Sequence, residues 1–361
     1  MFHYRTTGFN GYAVQYSPFY DSRLACAASA NFGLVGNGRL YILSLTPTGI
    51  VSEKHFDTQD SLFDVAFSEL HENQLAVASG DGSIKLFDTT LEQFPIASWQ
   101  EHAREVFSVK WGGVDKGLFC SASWDGTVKL WSPTLSRSLL TLPVGSCTYS
   151  AVFSPHTANL LSCVSSDSTL RLFDTRAPPA PQTVIAVSPM APGEVLTHDW
   201  NKYRPDVVAT AGVDKIVRVW DVRQPARPVS ELAGHEYAVR RIAWSPHWAE
   251  VLVSASYDMT VRVWNDGGLG GVGGAVGGTG VGLMMGVMDR HTEFCAGVDW
   301  CLFGGEGWAA STGWDESVDF VPYCRVRFVS GSLCVVQALS NYISSHNRRL
   351  LPEIITMSPR T

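Results

Sequence analysis

His235, Ser256 and Asp258 are the residue types of a nucleophilic hydrolase, in which a histidine takes the serine proton while a carboxylate steadies the ring. Trp264 accompanies them, and the same four types recur at His102, Ser123, Asp125 and Trp131. A triad needs one exposed nucleophile beside an oxyanion hole, so a set copied along the chain reads as a structural device before a catalytic one. His291, Cys295 and Cys301 offer metal-binding atoms, but they are one strand's worth of residues without a second ligand pair, and no zinc site is expected. No glycine-rich loop follows a strand and opens a helix, which leaves nucleotide chemistry unsupported. No cofactor and no enzymatic reaction are expected.

The copying has a period. An Asp or Asn leading an alternating apolar run stands at Asn37 (NGRLYILS), Asp81 (DGSIKLFD), Asp125 (DGTVKLWS), Asp167 (DSTLRLFD), Asp214 (DKIVRVWD), Asp258 (DMTVRVWN) and Asp315 (DESVDFVP), at spacings of 44, 44, 42, 47, 44 and 57. Six residues after each anchor lies Leu43, Phe87, Trp131, Phe173, Trp220, Trp264 or Val321, always large and apolar or β-branched. AVRRIAWSP, VLVSAS and TVRVWN then read as successive strands of one unit, with turn residues between them and no 3.6-residue pattern in competition. This grammar resembles the WD repeat, in which each unit is a four-stranded propeller blade. Seven anchors imply an all-β, seven-bladed WD-repeat β-propeller over residues 1–322. FHYRTTGF lies where the last blade needs an outer strand, so Phe2 to Gly8 is expected to clasp the blade anchored at Asp315 and remove an open edge. The resemblance also implies that the His102, Ser123, Asp125, Trp131 and His235, Ser256, Asp258, Trp264 sets are hydrogen-bonded networks within their blades.

Two segments break the pattern. Residues 267–282 hold ten glycines in sixteen and read as a flexible insert on the lower rim. After Val321 and Pro322, which replace the usual Trp and Asp, residues 323–361 resemble no blade; the seventh blade is expected to be imperfect and the tail irregular. A net charge of −7 gives no general attraction for nucleic acid or an anionic membrane. The eight cysteines form no CxxC pair and several sit in apolar runs, as reduced thiols of a cytosolic protein would. MFHYRTTGFNGYAV lacks the apolar core of a secretory signal, and no run is long enough to span a membrane.

The narrow top of such a ring is made by the loops entering each innermost strand and by the turns before each anchor. The strand entrances carry Phe63 and Asp64, Glu105 and Phe107, Tyr149, Glu194 and Leu196, Tyr237 and Arg240, and Glu293 and Phe294; the turns add Trp124, Tyr257 and Trp314. Aromatic anchors interleaved with carboxylates suit a peptide that presents apolar residues beside an Arg or Lys.

NFGLVGNGRLYIL, SLFDVAFSE, QEHAREVFSVKW, FCSASWDGTVKLW, HDWNKYRPDVVATAGVDK and GHEYAVRRIAWSPH resemble the peroxin-7 family, the import receptors for type 2 peroxisomal targeting signals, from about Phe9 to Val318 and in a fungal style. That resemblance implies cytosolic capture of matrix enzymes through a helical, basic-tipped N-terminal signal. It further implies cycling to the peroxisome with a separate co-receptor peroxin and delivery to the docking complex, without membrane insertion. An amphipathic helix docks by setting apolar anchors in a groove. Phe63, Phe107, Tyr149, Leu196, Tyr237 and Phe294 are then expected to form the floor, with Asp64, Glu105, Glu194 and Glu293 receiving the basic residue. The competing reading is a substrate adaptor of a cullin-type ubiquitin ligase, because FDTR (Phe173 to Arg176) and WDVR (Trp220 to Arg223) resemble WDxR boxes.

Overall fold

Alternation builds the third strand of each repeat: in Thr127–Trp131, Val128 and Leu130 are buried while Thr127 and Lys129 are partly exposed. The second strands differ. Phe119–Ser123 and Val251–Ser256 are buried at every position, because blades pack on both of their faces and their small Ala and Ser residues let neighbours approach. The computed structural model describes residues 2–34, 36–92, 94–177, 179–188, 192–268, 280–303 and 306–322. Among them the only helical element is one 3-10 turn, Ala30–Gly33.

The strands form seven sheets arranged as a ring. Blade 1 runs outward from Asn10–Tyr16 through Arg23–Ser29 and Gly38–Thr46 to Gly49–Thr58. Blades 2 to 6 repeat that order over residues 62–100, 106–143, 148–186, 195–232 and 239–288. Blade 7 comprises Cys295–Trp300, Trp308–Gly313 and Ser317–Pro322, and its outermost strand is Phe2–Arg5 from the N-terminus. Phe2 pairs with Phe320 and Tyr4 with Val318, the two phenyl rings stack at 6.2 Å, and Gly8 N–H reaches the Glu316 carboxylate at 3.0 Å. The expected clasp is therefore present. Blade 7 is also less degraded than its sequence suggests, since buried Val321 fills the tryptophan slot against Val253 and Ala309.

Blade 7 meets blade 1 at a seam that only glycine permits. A Cβ on Gly297 would lie 2.9 Å from the Ala13 Cα, and one on Gly11 would strike the Thr312 side chain. Around the ring, side chains of one innermost strand accept free N–H groups of the next: Gln15 from Phe67 at 2.6 Å, Asp199 from Trp244 at 2.8 Å, and Asp299 from Tyr16 at 2.9 Å across the seam.

Asp299 faces the central channel, a cavity of about 310 Å³ also lined by Lys110 and Arg241. Burial pushes its carboxyl up to about 6, against the opposing Tyr16 hydrogen bond and the Lys110 charge. The folded state thus holds this proton more tightly than the unfolded chain does. The stability it contributes is fully present below about pH 4 and is lost as pH rises through about 6. Asp299→Asn keeps an acceptor for Tyr16. Its melting temperature, measured against pH, is expected to gain on wild type as pH rises from 4 to 7; parallel curves would contradict this.

The glycine-rich insert leaves blade 6 after Asn265, at the end of the ring opposite the anchor turns. Residues 269–279, like the tail 323–361, lie outside the described residues. The expected loop does not run to 282. Gly280–Val281 pairs in parallel with Ser230 and Glu231, covering the outer edge of blade 5, before Leu283–Met288 completes blade 6. The described cysteines are free thiols.

Candidate functional site

The repeated His, Asp and Trp side chains converge as hydrogen-bonded networks. In blade 3, Trp131 Nε1 donates to Ser121 Oγ at 2.8 Å, His102 Nε2 lies 2.8 Å from the same oxygen, and His102 Nδ1 lies 2.8 Å from Asp125. Blade 6 repeats this with Trp264, Ser254, His235 and Asp258, and blade 7 keeps His291, Ser311 and Asp315. The serine is not the expected one. Ser121 and Ser254 sit mid-strand within reach of both rings, whereas Ser123 and Ser256 end their strands and close the turn, donating to carbonyls of Arg104 and Tyr237. Each network has triad-like geometry, but Ser121, Ser254 and Ser311 are fully buried, and in the first two an indole holds the other side of the hydroxyl. No substrate reaches such an oxygen. Burial alone would raise the Asp315 carboxyl, yet the His291 hydrogen bond and charge outweigh it and hold the group at about 2.

His291 gives its two ring nitrogens to Asp315 and Ser311, Cys295 begins the innermost strand of blade 7, and Cys301 follows its other end with its thiol against the Phe303 carbonyl. Those three do not form a cage. Among the described residues no group of three or more His, Cys, Asp or Glu could hold a metal ion.

At the top, every innermost strand carries a one-residue register shift against its neighbour, and the residues left out of the pairing are Tyr12, Phe63, Phe107, Tyr149, Leu196, Arg240 and Ala296. A β-bulge re-aims one side chain and bends its strand. Here the device places one side chain per blade at the mouth. The turns before the anchors are tied to the same entrances, through Trp124 N–H to Glu105, Tyr257 N–H to Ala238 and Trp314 N–H to Phe294.

The rings form one continuous arc through six blades. Successive centroids are 4.8 Å apart from Tyr257 to Phe294, 5.2 Å to Trp314 and 5.6 Å to Tyr12. The arc continues at 5.2 Å to Phe63, 4.6 Å to Phe107, 4.5 Å to Trp124 and 5.9 Å to Tyr149. Each such pair contributes about 0.5–1.5 kcal/mol beyond its buried area, so the face is stiff before anything binds. Phe107, Trp124, Tyr257, Phe294 and Trp314 are half-buried and available, while Phe63, Tyr149 and Leu196 are almost covered by their neighbours. Tyr237 stands apart at 59% exposed, with the Lys215 ammonium over its ring. Tyr12 is the arc residue that the strand entrances from Phe63 onward do not include. Its signal was the FNGYAV phrase, which opens the first innermost strand as SLFDVAF opens the second.

The four expected acids separate. Asp64 is not on the face. It is wholly buried in the channel, bonded to Arg241 from the opposite side of the ring, to Val109 N–H at 3.1 Å and near Lys110 at 3.7 Å, because it follows the bulge and points to the axis. Glu105 already faces Arg104 at 3.5 Å. Glu194 lies beside Tyr149, whose hydroxyl pKa is pushed up by burial first and then by that carboxylate. Glu293 is exposed and has no ion-pair partner among the described residues. Arg176 and Arg223, the basic residues of the two WDxR-like boxes, fold back as forks onto Asp174 and Asp221 of their own blades.

The WD domain, G-beta repeat family matches residues 93–132, 137–174 and 226–265, parts of the ring just described. Several similar proteins carry the name peroxisomal targeting signal 2 receptor, among them three from two yeasts and mouse. That of Saccharomyces cerevisiae is 42% identical over 371 residues, spanning 88% of this chain and 98% of its own. That of Komagataella phaffii is 45% identical over 377 residues, with the same coverage, and that of Mus musculus is 39% identical over 323 residues, covering 89% and 96%. With such identity over nearly their whole length, and with a ring of seven complete blades, this chain belongs to the family of peroxisomal targeting signal 2 receptors.

Proposed function

We propose that this protein is a receptor for type 2 peroxisomal targeting signals, that it holds the signal on the aromatic face, and that it catalyses no reaction. The observation that carries the reading is the bulge in all seven innermost strands, which turns a repeated fold into one contiguous apolar platform. An amphipathic helix laid across it would set apolar residues on Phe107, Trp124, Trp314 and Phe294 and bring a basic end toward the exposed carboxylates of Glu293 or Glu194. Such a shallow platform covers one side of a helix only, which gives a co-receptor peroxin the task of covering the other. Capture in the cytosol and delivery to the peroxisomal docking complex follow from the same reading.

The test is a fluorescence-anisotropy titration of a labelled type 2 signal peptide, with co-receptor present. Saturable binding is expected, and Glu293→Lys should weaken it about tenfold at low salt, the difference closing toward about 1 M salt, where charges are screened within about 3 Å. Absence of peptide binding, together with recovery of a ligase linker protein in a pull-down, would replace this reading with the adaptor one.

A further inference from the structure

Six of the seven bulge positions hold residues suited to an apolar floor, and the seventh holds a cation. Arg240 is only 6% exposed, yet among the described residues it makes no hydrogen bond and no ion pair. Its one ring contact is with Phe107, whose centroid lies 5.8 Å from the guanidinium carbon. Phe107 belongs to blade 3 and Arg240 to blade 6, so the guanidinium reaches across the mouth to the axis of the ring. Tyr12 and Tyr149, from blades 1 and 4, feel its charge as well. A guanidinium has five donors, accepts nothing and keeps its proton; with no protein acceptor its nitrogens depend on the little solvent that reaches the mouth, and a docked helix that removes that solvent must supply an acceptor. Its neighbour shows the alternative: Arg241, one residue on, is fully engaged by Asp64 in the channel below.

We propose that Arg240 is a specificity-determining residue that donates to a hydrogen-bond acceptor side chain, a carboxamide, imidazole or carboxylate, carried on the apolar face of the docked helix. This rests on the receptor reading above. The acceptor belongs to a side chain near the middle of the helix. A helix laid from Phe294 and Trp314 of blade 7 to Phe107 and Trp124 of blade 3 crosses near the axis with its middle turns and leaves its terminal carbonyls at the rim. A purely apolar peptide would leave the guanidinium dry and unpaired, so Arg240 would reject it while the rings accept it.

The experiment is a double-mutant cycle with labelled signal peptides in which each acceptor-bearing side chain is replaced in turn by alanine, titrated into wild type, Arg240→Met and Arg240→Lys, with thermal melts of each protein alone. On wild type, one replacement is expected to cost about 10- to 100-fold in affinity, the range of a charged hydrogen bond. On Arg240→Met the same replacement should cost less than about twofold, because the partner is gone. Arg240→Lys should restore part of the discrimination. Arg240→Met should melt no lower than wild type without peptide, since no protein hydrogen bond or ion pair is lost with the guanidinium. Whether the matched position carries a neutral or an acidic acceptor tells the two chemistries apart. The inference falls if Arg240→Met binds every peptide as wild type does, if its losses are the same at every peptide position, or if it melts clearly lower, which would make Arg240 a structural residue. If wild type binds no signal peptide at all, the receptor reading falls and takes this inference with it.

Discussion

Arg241→Ala is expected to destabilise the ring by about 3–5 kcal/mol, because it leaves the Asp64 carboxylate buried without its main counter-charge. Asp64 keeps the N–H groups of Val65 and Val109 and the more distant Lys110 ammonium, so the loss should fall toward the lower end of that range. Lys110 is itself held below its ordinary pKa by burial and by the Arg241 charge, and losing Arg241 lets it stay protonated more firmly. The pH response separates this account from simple loss of packing. In wild type burial would raise the Asp64 carboxyl, but Arg241 and Lys110 hold it below the usual carboxylate range. Its contribution is therefore present above about pH 4 and lost as pH falls. In Arg241→Ala burial wins, the sign reverses, and the variant should recover ground on wild type as the pH is lowered. Asp64→Asn combined with Arg241→Ala should restore most of the stability, because the amide oxygen still accepts from Val109 while no charge remains to be compensated. Urea denaturation of the three proteins at two pH values decides it; single and double variants within about 1 kcal/mol of wild type would show that the pair carries no such weight.

The ring was legible because its information is repetitive. Seven anchors at nearly constant spacing each restate one sheet, and the N-terminal strand follows from the need to pair Ser317–Pro322. What escaped is finer than the repeat. Ser121 and Ser123 have the same type and, two residues apart, the same side of the strand, so only the depth of the rung distinguishes the one that meets His102. Asp64 follows Phe63 at the strand entrance, where the linear sequence makes it look like a surface acid. The bulge at Phe63 shifts the register by one residue and turns the next side chain toward the axis, where Arg241 waits from the far side. Glu105 and Glu194 have Arg104 and Tyr149 beside them, and only the first of these neighbours is adjacent in sequence. Val321 in a tryptophan slot looked like decay because the slot's size is set by blade 6, not by the repeat itself.

Phe107→Ala should produce the largest loss of signal binding of any single change on the face, about 100- to 1,000-fold. Phe107 occupies the junction of the arc, stacked on Phe63 at 4.6 Å and Trp124 at 4.5 Å, edge-on to Tyr149 at 5.9 Å and beneath the Arg240 guanidinium. Removing it therefore frees its neighbours: Trp124 loses its stacking partner, Phe63 gains an open face, and the guanidinium loses the ring under it. Central aromatic residues that are well packed yet reachable dominate binding energy in this way, typically at 2–4 kcal/mol, while rim contacts contribute little. Tyr237 is the internal control. It is equally aromatic and far more exposed, but among the described residues its ring joins no aromatic pair and has the Lys215 ammonium over it, so Tyr237→Ala should change binding by less than about threefold. Stability should separate the two roles again, because half-buried Phe107 lies at the mouth rather than in any of the blade cores. Phe107→Ala should thus lose far more in affinity than in melting temperature. If Phe107→Ala and Tyr237→Ala weaken peptide binding alike, the signal does not lie across the axis, and the continuous arc would be a lid on the propeller rather than a platform for a helix.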